Sequence, residues 1–213
     1  MTGFAVLDVE TTGLFPGRDD RITEIAIVHV GPGGQVVDEW DSLVNPERDL
    51  GTGQAHGIRA SDVQFAPTFR DLAPRIAELL AGRVFVAHNL PFDRSFVLAE
   101  FDRLGIRLPF EEAPGLCTME LADRFLTTPS RSLAGCCAAA GVLLTDQHRA
   151  LDHARAAAGL LRHYLHRSTA LDWTGHLAAA RAARWPILPR RAARPVRRGA
   201  TSHFLDRIAA SRD

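Results

Sequence analysis

Asp8 and Glu10 stand two residues apart in an apolar run, Phe4–Val9, that continues into Thr11-Thr12-Gly13. On an extended strand residues i and i+2 share a face, so both carboxylates point one way while Leu7 and Val9 face the core. Two carboxylates side by side on a buried strand repel each other and are costly to ionise. A divalent cation removes that cost; two merely solvated acids would need that face open to water. Gly13 lets the chain turn sharply and bring its backbone close to a phosphate. A second motif is His88-Asn89-Leu90-Pro91-Phe92-Asp93. It reads as a strand ending at His88, a cap at Asn89, and a helix opened by Pro91 with Asp93 in its first turn. The helix dipole alone favours an acid there, but downstream of the first motif Asp93 becomes a third candidate ligand. The third motif is His148-Arg149-Ala150-Leu151-Asp152-His153-Ala154. His148 follows a Gly/Leu/Thr loop and precedes a helix, a position that suits a mobile general base able to deprotonate water.

The elements that must position these groups follow from periodicity. Phe4–Val9, Ile22–Val30 and Gln35–Val44 read as three strands, joined by the loop Gly13–Asp20 and the turn Pro32-Gly33-Gly34, which predicts an antiparallel meander. Residues 45–68 read as a loop with a short helical turn near His56 and Asp62. Phe69–Leu80 has helical spacing at Leu72, Ile76, Leu79 and Leu80. Arg83–Ala87 is a short strand. The helix after it carries Phe92, Phe96, Val97 and Phe101 on its apolar side and ends at Gly105. Cys117–Phe125 and Ser132–Ala140 read as two more helices. A last helix runs from about Ala150 to Tyr164, with Leu151, Ala154, Ala158, Leu161 and Leu165 as its core stripe. After Trp173 the pattern weakens, Pro186 and Pro189 break it, 190–200 reads as a basic linker, and Thr201–Ala210 reads as a candidate for a short terminal helix.

A chain of 213 residues suits one α/β domain with a short appendage. The hydrophobic fraction of 46% is that of a globular protein. No apolar run approaches the roughly 20 residues needed to cross a membrane. The N-terminus lacks the basic start and apolar run of a signal peptide, so a soluble cytoplasmic protein is expected. Cys117, Cys136 and Cys137 are odd in number, two are adjacent, and there is no CxxC pair. That argues against a disulfide framework or a structural zinc site and for buried free thiols. All 25 basic residues are Arg, which with the abundant Ala reads as coding bias. Residues 181–213 hold nine Arg and two Asp, a net +7, which leaves −7 on the rest. A basic tail beside an acidic body fits a nuclease acting on a polyanion; the plain alternative is a solvated tail.

Together the three motifs resemble the DEDDh (DnaQ-like) 3′–5′ exonucleases, the family of the proofreading epsilon subunit of bacterial DNA polymerase III, over roughly residues 3–168. His56-Gly57-Ile58 with Asp62-Val63 is similar to the family's substrate-side loop, and Cys117-Thr118 stands where many members have Asp-Thr. The resemblance implies an α/β RNase H-like fold: a mixed five-stranded sheet, its first three strands antiparallel, flanked by helices. It implies an exonuclease domain over 1–170 and a basic Arg/Pro-containing extension or linker over 171–213. Two divalent ions, Mg²⁺ or Mn²⁺, are implied, with Asp8 bridging both, Glu10 on one and Asp93 on the other. His148 would activate the attacking water. Thr11, Thr12 and His56 would contact the 3′-terminal nucleotide, with Gly13, Leu14, Asn89 and Phe92 completing the substrate side. The implied reaction is hydrolysis at DNA 3′ ends to nucleoside 5′-monophosphates, in proofreading or repair. Single-stranded DNA or DNA 3′ ends would be the partner, with RNA ends as an alternative and a DNA polymerase subunit as a further partner. One departure stands out. The family's last metal-binding Asp lies five residues after the catalytic His, where this chain has His153, with Asp152 one residue earlier. One residue on a helix is a rotation of ~100°. Three outcomes are open: His153 ligates and favours softer ions such as Mn²⁺ or Zn²⁺; Asp152 swings in; or one metal site is crippled and the chain is a nucleic-acid-binding module.

Overall fold

The computed structural model describes residues 2–51, 57–112, 115–145, 149–167 and 172–198. The expected features at His56 and His148 and the terminal helix over Thr201–Ala210 lie outside them. In β1 (Phe4–Thr11), Phe4 and Val6 face one layer of helices, and Ala5, Leu7 and Val9 face another. A strand apolar on both sides must be covered on both, as in α/β sheets. β2 (Ile22–Val30) is buried along its whole length, whereas β3 (Val36–Leu43) is exposed at its start and buried at its end. β4 (Val84–Ala87) and β5 (Leu116–Cys117) complete a five-stranded sheet in the order β3-β2-β1-β4-β5. The first three strands are antiparallel, and β4 and β5 run parallel to β1.

The helices are α1 (Ala60–Val63), α2 (Phe69–Leu80), α3 (Leu90–Arg103), α4 (Thr118–Phe125), α5 (Leu133–Ala140), α6 (Ala150–Arg167) and α7 (Trp173–Ala182). One layer packs Phe69, Leu72 and Ile76 of α2 with Phe96 and Phe101 of α3 against Leu7, Ile25 and Ile27. Fully burying a side chain such as Phe96 or Ile76 contributes about 1.5–3 kcal/mol. The other layer sets Ala154, Ala157, Ala158 and Leu161 of α6 against Val6, Ala26 and Val28. Small residues along that face bring α6 close to the sheet, which matters for the side chains of its first turn.

The meander and the helix of Phe69–Leu80 appear where the residue pattern puts them. α2 starts at a capping box: the Thr68 hydroxyl accepts from Asp71 N, and the Asp71 carboxylate accepts from Thr68 N. Asn89 differs from expectation. It occupies the N-cap position of α3, but its side chain makes no capping bond, and Pro91 alone among the two marks the helix start. β5, two residues long, and α7 are additional to the sequence reading. α7 is opened by Asp172, whose Oδ1 accepts from Gly175 N at 2.7 Å. Beyond it the chain runs back over the body. Trp185 meets Phe110 edge-on at 5.7 Å. At the end of β3, Leu43 N donates to Val196 O at 2.7 Å, and Val196 N donates to Ser42 Oγ at 3.0 Å. Among the described residues, no helix is long and apolar enough to cross a membrane.

Candidate metal centre and active site

The site forms where β1 outruns its neighbour. β4 pairs only with Phe4–Val6, so the next residues of β1 lack a strand on that side. Asp93 takes the strand's place: its Oδ1 accepts from Val9 N at 3.1 Å, which ties the first turn of α3 to β1. On the α6 face, Asp8 stands opposite Ala26 and Glu10 opposite Glu24 across the β1–β2 ladder. The first turn of α6 then presents His153. Its Nδ1 lies 3.3 Å from Asp8 Oδ2 and 3.8 Å from Glu10 Oε1. Asp8, Glu10 and His153 each offer a ligand atom within 4.8 Å of the other two. Asp152 points elsewhere: its Oδ1 accepts from Thr145 Oγ1 at 3.0 Å and from Arg155 Nη1 at 3.3 Å. The structure thus brings Asp8, Glu10 and His153 together, sets Asp93 beside them, and leaves Asp152 outside.

Burial and mutual repulsion work against ionising this cluster. Burial pushes the Asp8 carboxyl up, while its contact with His153 pulls the other way. Burial, followed by the Asp8 charge, raises Glu10 to about 7. Burial and then Asp8 hold Asp93 well above the usual carboxylate range. Three acids in that state, converging with one imidazole, are a donor set whose strain a divalent cation would relieve. The residues present therefore fit a metal centre. An open cavity of about 350 Å³ lies over them, walled by His88, Asn89, Phe92, Ser132, Leu133 and Leu144. His88 is fixed at both nitrogens, Nδ1 with Thr118 Oγ1 at 3.0 Å and Nε2 with Arg131 O at 2.9 Å. Burial lowers its pKa, so it braces the wall as a neutral ring.

The loop after β1 is organised around Asp20. The Thr12 hydroxyl donates to Asp20 Oδ1 at 3.1 Å and accepts from Arg21 N at 3.0 Å, while Phe15 N donates to Asp20 Oδ2 at 3.0 Å. Thr11 Oγ1 donates to Gly13 O at 2.6 Å. A Cβ on Gly13 would stand 2.3 Å from Asp20 Oδ2. The glycine thus makes room for a carboxylate, a role the sequence reading did not give it. The loop leaves Leu14 69% exposed. Two further acids carry the site without having been singled out from sequence. Buried Glu100 receives Arg21 Nε at 2.7 Å and Nη2 at 2.9 Å, plus Ile22 N at 3.2 Å, which anchors the far end of the loop. Glu24 interrupts an apolar strand, a signal that was available; its Oε2 accepts from Ala150 N at 3.4 Å at the start of α6.

This sheet order, with an acid pair on the central strand, defines a nuclease-type α/β fold. The family model described as Exonuclease (RNase_T) matches residues 5–161, and the chain belongs to that DnaQ-like exonuclease family. A DNA polymerase III subunit epsilon-like protein of Rhodobacter capsulatus is 42% identical over 97 residues, 44% of this chain and 14% of that protein. The 3′-5′ exonuclease DinG of Bacillus subtilis is 37% identical over 121 residues, 56% of this chain and 13% of that one. The chain therefore spans a small fraction of the length of these relatives. A zinc-bound form of Escherichia coli exonuclease I with single-stranded DNA superposes with a TM-score of 0.70 at 17% identity, covering 78% of this chain and 41% of that one. That likeness shows the shared RNase H-like fold.

Proposed function

We propose that the chain is a metal-dependent 3′–5′ exonuclease that releases nucleoside 5′-monophosphates from DNA 3′ ends. The convergence of Asp8, Glu10 and His153 in the open cavity, with buried Asp93 alongside, carries this reading. The direction is supported by the likeness to a 3′-5′ exonuclease, and the substrate by the likeness to an exonuclease bound to single-stranded DNA. Asp8 and Glu10 would hold Mg²⁺ or Mn²⁺ together, with Asp93 and His153 completing the donor set. When bound, such ions polarise the scissile phosphate and offset charge on the attacking and leaving oxygens. His148, the residue before Arg149, would accept the proton of the attacking water as its oxygen bonds to phosphorus and the P–O3′ bond breaks. Thr11, Thr12 and Gly13 shape the loop that presents Leu14 to the terminal nucleotide, and Asn89 and Phe92 wall the other side. His56 would add a contact from the substrate-side loop. Residues 1–170 make up the exonuclease domain in this reading, and 171–213 are its extension.

The test is digestion of 5′-labelled and 3′-labelled single-stranded DNA with Mg²⁺ or Mn²⁺. Stepwise shortening from the 3′ end is expected, with loss of all activity in Asp8→Ala and Glu10→Ala. Undiminished digestion by either variant would overturn the site. One observation favours a second reading: an imidazole, not a carboxylate, contacts Asp8 and Glu10. A wild type that binds DNA but turns over with neither ion would make the chain a binding module. Matched RNA and DNA oligonucleotides in competition decide the nucleic acid. A polymerase subunit is the partner a proofreading role would require, and co-sedimentation with a replicative polymerase checks it.

A further inference from the structure

The acids on the α6 face do not stop at Asp8 and Glu10. Glu24 stands opposite Glu10, and Asp41 stands opposite Ala26, which itself faces Asp8. Glu24 is 1% exposed and Asp41 2%. Glu24 Oε1 has no hydrogen-bond partner among the described residues. Carboxylates this deep need a cation or a protein donor beside them. Arg149, just before α6, lends its charge to both acids, and their ion-pair partners come from the far end of the chain. Arg198 Nη1 lies 3.5 Å from Glu24 Oε2, and Arg197 Nε lies 3.1 Å from Asp41 Oδ1. The backbone that carries them is pinned to β3 through Val196, and Arg149 Nη2 donates to Arg198 O at 3.2 Å.

Glu24 also receives Ala150 N, one of the otherwise unpaired N–H groups at the start of α6. A continuous path therefore runs from Arg198 through Glu24 to the turn that presents His153. The rotation of that turn decides which side chain meets Asp8 and Glu10, because Asp152 and His153 differ by ~100° about the helix axis. Arg198 itself is four-fifths buried in this contact.

We propose that Arg198, supplied by the C-terminal extension, is a positioning residue of the active site: paired with Glu24, it sets the first turn of α6 and so places His153 on Asp8 and Glu10. The proposal builds on the exonuclease reading, but its principal test needs no turnover. Removing one member of a buried ion pair leaves the other uncompensated and disturbs its surroundings. Arg198→Ala should therefore speed hydrogen exchange at the amides of residues 150–154 and weaken Mn²⁺ binding by about tenfold, the usual effect of losing a group that orients a ligand. Glu24→Gln needs no cation yet still accepts from Ala150 N. The double variant Glu24→Gln/Arg198→Ala should accordingly return exchange and Mn²⁺ affinity to within about threefold of wild type. If Arg198→Ala does not fold, a folded double variant with wild-type exchange carries the same conclusion. In the exonuclease assay Arg198→Ala should lower kcat with little change in KM. Wild-type exchange and Mn²⁺ affinity in Arg198→Ala would overturn the proposal, as would a double variant no better than the single one. A rise in KM alone would overturn it too and make Arg198 a substrate contact. An inactive wild type would count against the exonuclease reading only, because exchange and Mn²⁺ binding remain measurable.

Discussion

Glu10 shows what folding costs this site when no cation is bound. Burial, then Asp8, and to a lesser degree Glu24 raise its carboxyl to about 7, while His153 and Arg198 pull it down. In the unfolded chain it titrates near 4.5. Between these values the folded state binds more protons than the unfolded one, so the Glu10 contribution to stability is lost as pH rises. Buried His29 and His88 have lowered pKa values and give the opposite slope, so the informative comparison is with Glu10→Gln. In EDTA, the Tm of Glu10→Gln should climb relative to wild type between about pH 5 and pH 7.5. Saturating Mn²⁺ should reverse the sign, because the ion favours the ionised carboxylate. A pH-independent difference in EDTA would show that Glu10 is not strained in the folded state. His153 raises a second question at this scale. Mg²⁺ prefers oxygen donors and dehydrates reluctantly, so His153→Asp should raise Mg²⁺-dependent turnover, by about tenfold. Asp152 is engaged by Thr145 and Arg155, so Asp152→Asn should cost little. Loss of activity in Asp152→Asn together with no gain in His153→Asp would make Asp152 the working ligand. His148→Ala should lower turnover by ~10²-fold or more with metal affinity retained, as for a general base.

Among the elements, those with local signals were readable from sequence and those without were not. α2 has helical spacing and a capping box, and β1 has its apolar row and acid pair, so both stood out. β5 has two residues, too few to show a period. The convergence of Asp8, Glu10 and Asp93 was legible because each motif sits at the end of a strand or the start of a helix. The choice between Asp152 and His153 was not, since it depends on how α6 is rotated, and that rotation is set by sheet contacts far away in sequence. The Arg21–Glu100 pair was equally hidden, its members 79 residues apart and joined only once α3 packs against the loop after β1. Glu100→Ala should destabilise the protein by about 3–5 kcal/mol, the cost of breaking a buried pair by removing one partner. An unfolding titration in urea reads this directly. A loss under about 1 kcal/mol would place the pair with exposed ion pairs and remove its anchoring role.

At the scale of the whole molecule, the opposed charges of body and extension meet within the chain. The +7 lies entirely in residues 181–198, because 199–213 hold two Arg and two Asp. Four of those seven Arg are paired with body acids: Arg190 with Glu78 at 2.9 Å, Arg191 with Asp71 at 3.1 Å, Arg197 with Asp41 and Arg198 with Glu24. A segment so engaged packs on the folded body, whereas a nucleic-acid contact made by it is a proposal for experiment. Two truncations separate these roles. Ending the chain after residue 198 removes none of the four pairs and, of the Arg, only Arg207 and Arg212, so the salt slope of DNA binding should fall by no more than about 1.4, the worth of two phosphate contacts. Ending it after Ala183 removes all four pairs. It strips Asp41 and Glu24 of their ion-pair partners and leaves Arg149 as the nearby cation common to both, so the urea midpoint should fall. Each Arg–phosphate contact on single-stranded DNA contributes about 0.7 to the slope of log K against log salt. Because the four Arg are held by acids, the slope should drop by less than the eight Arg removed would give if each touched a phosphate. A full drop with an unchanged urea midpoint would show the opposite: an extension held loosely by the body and working as a DNA contact.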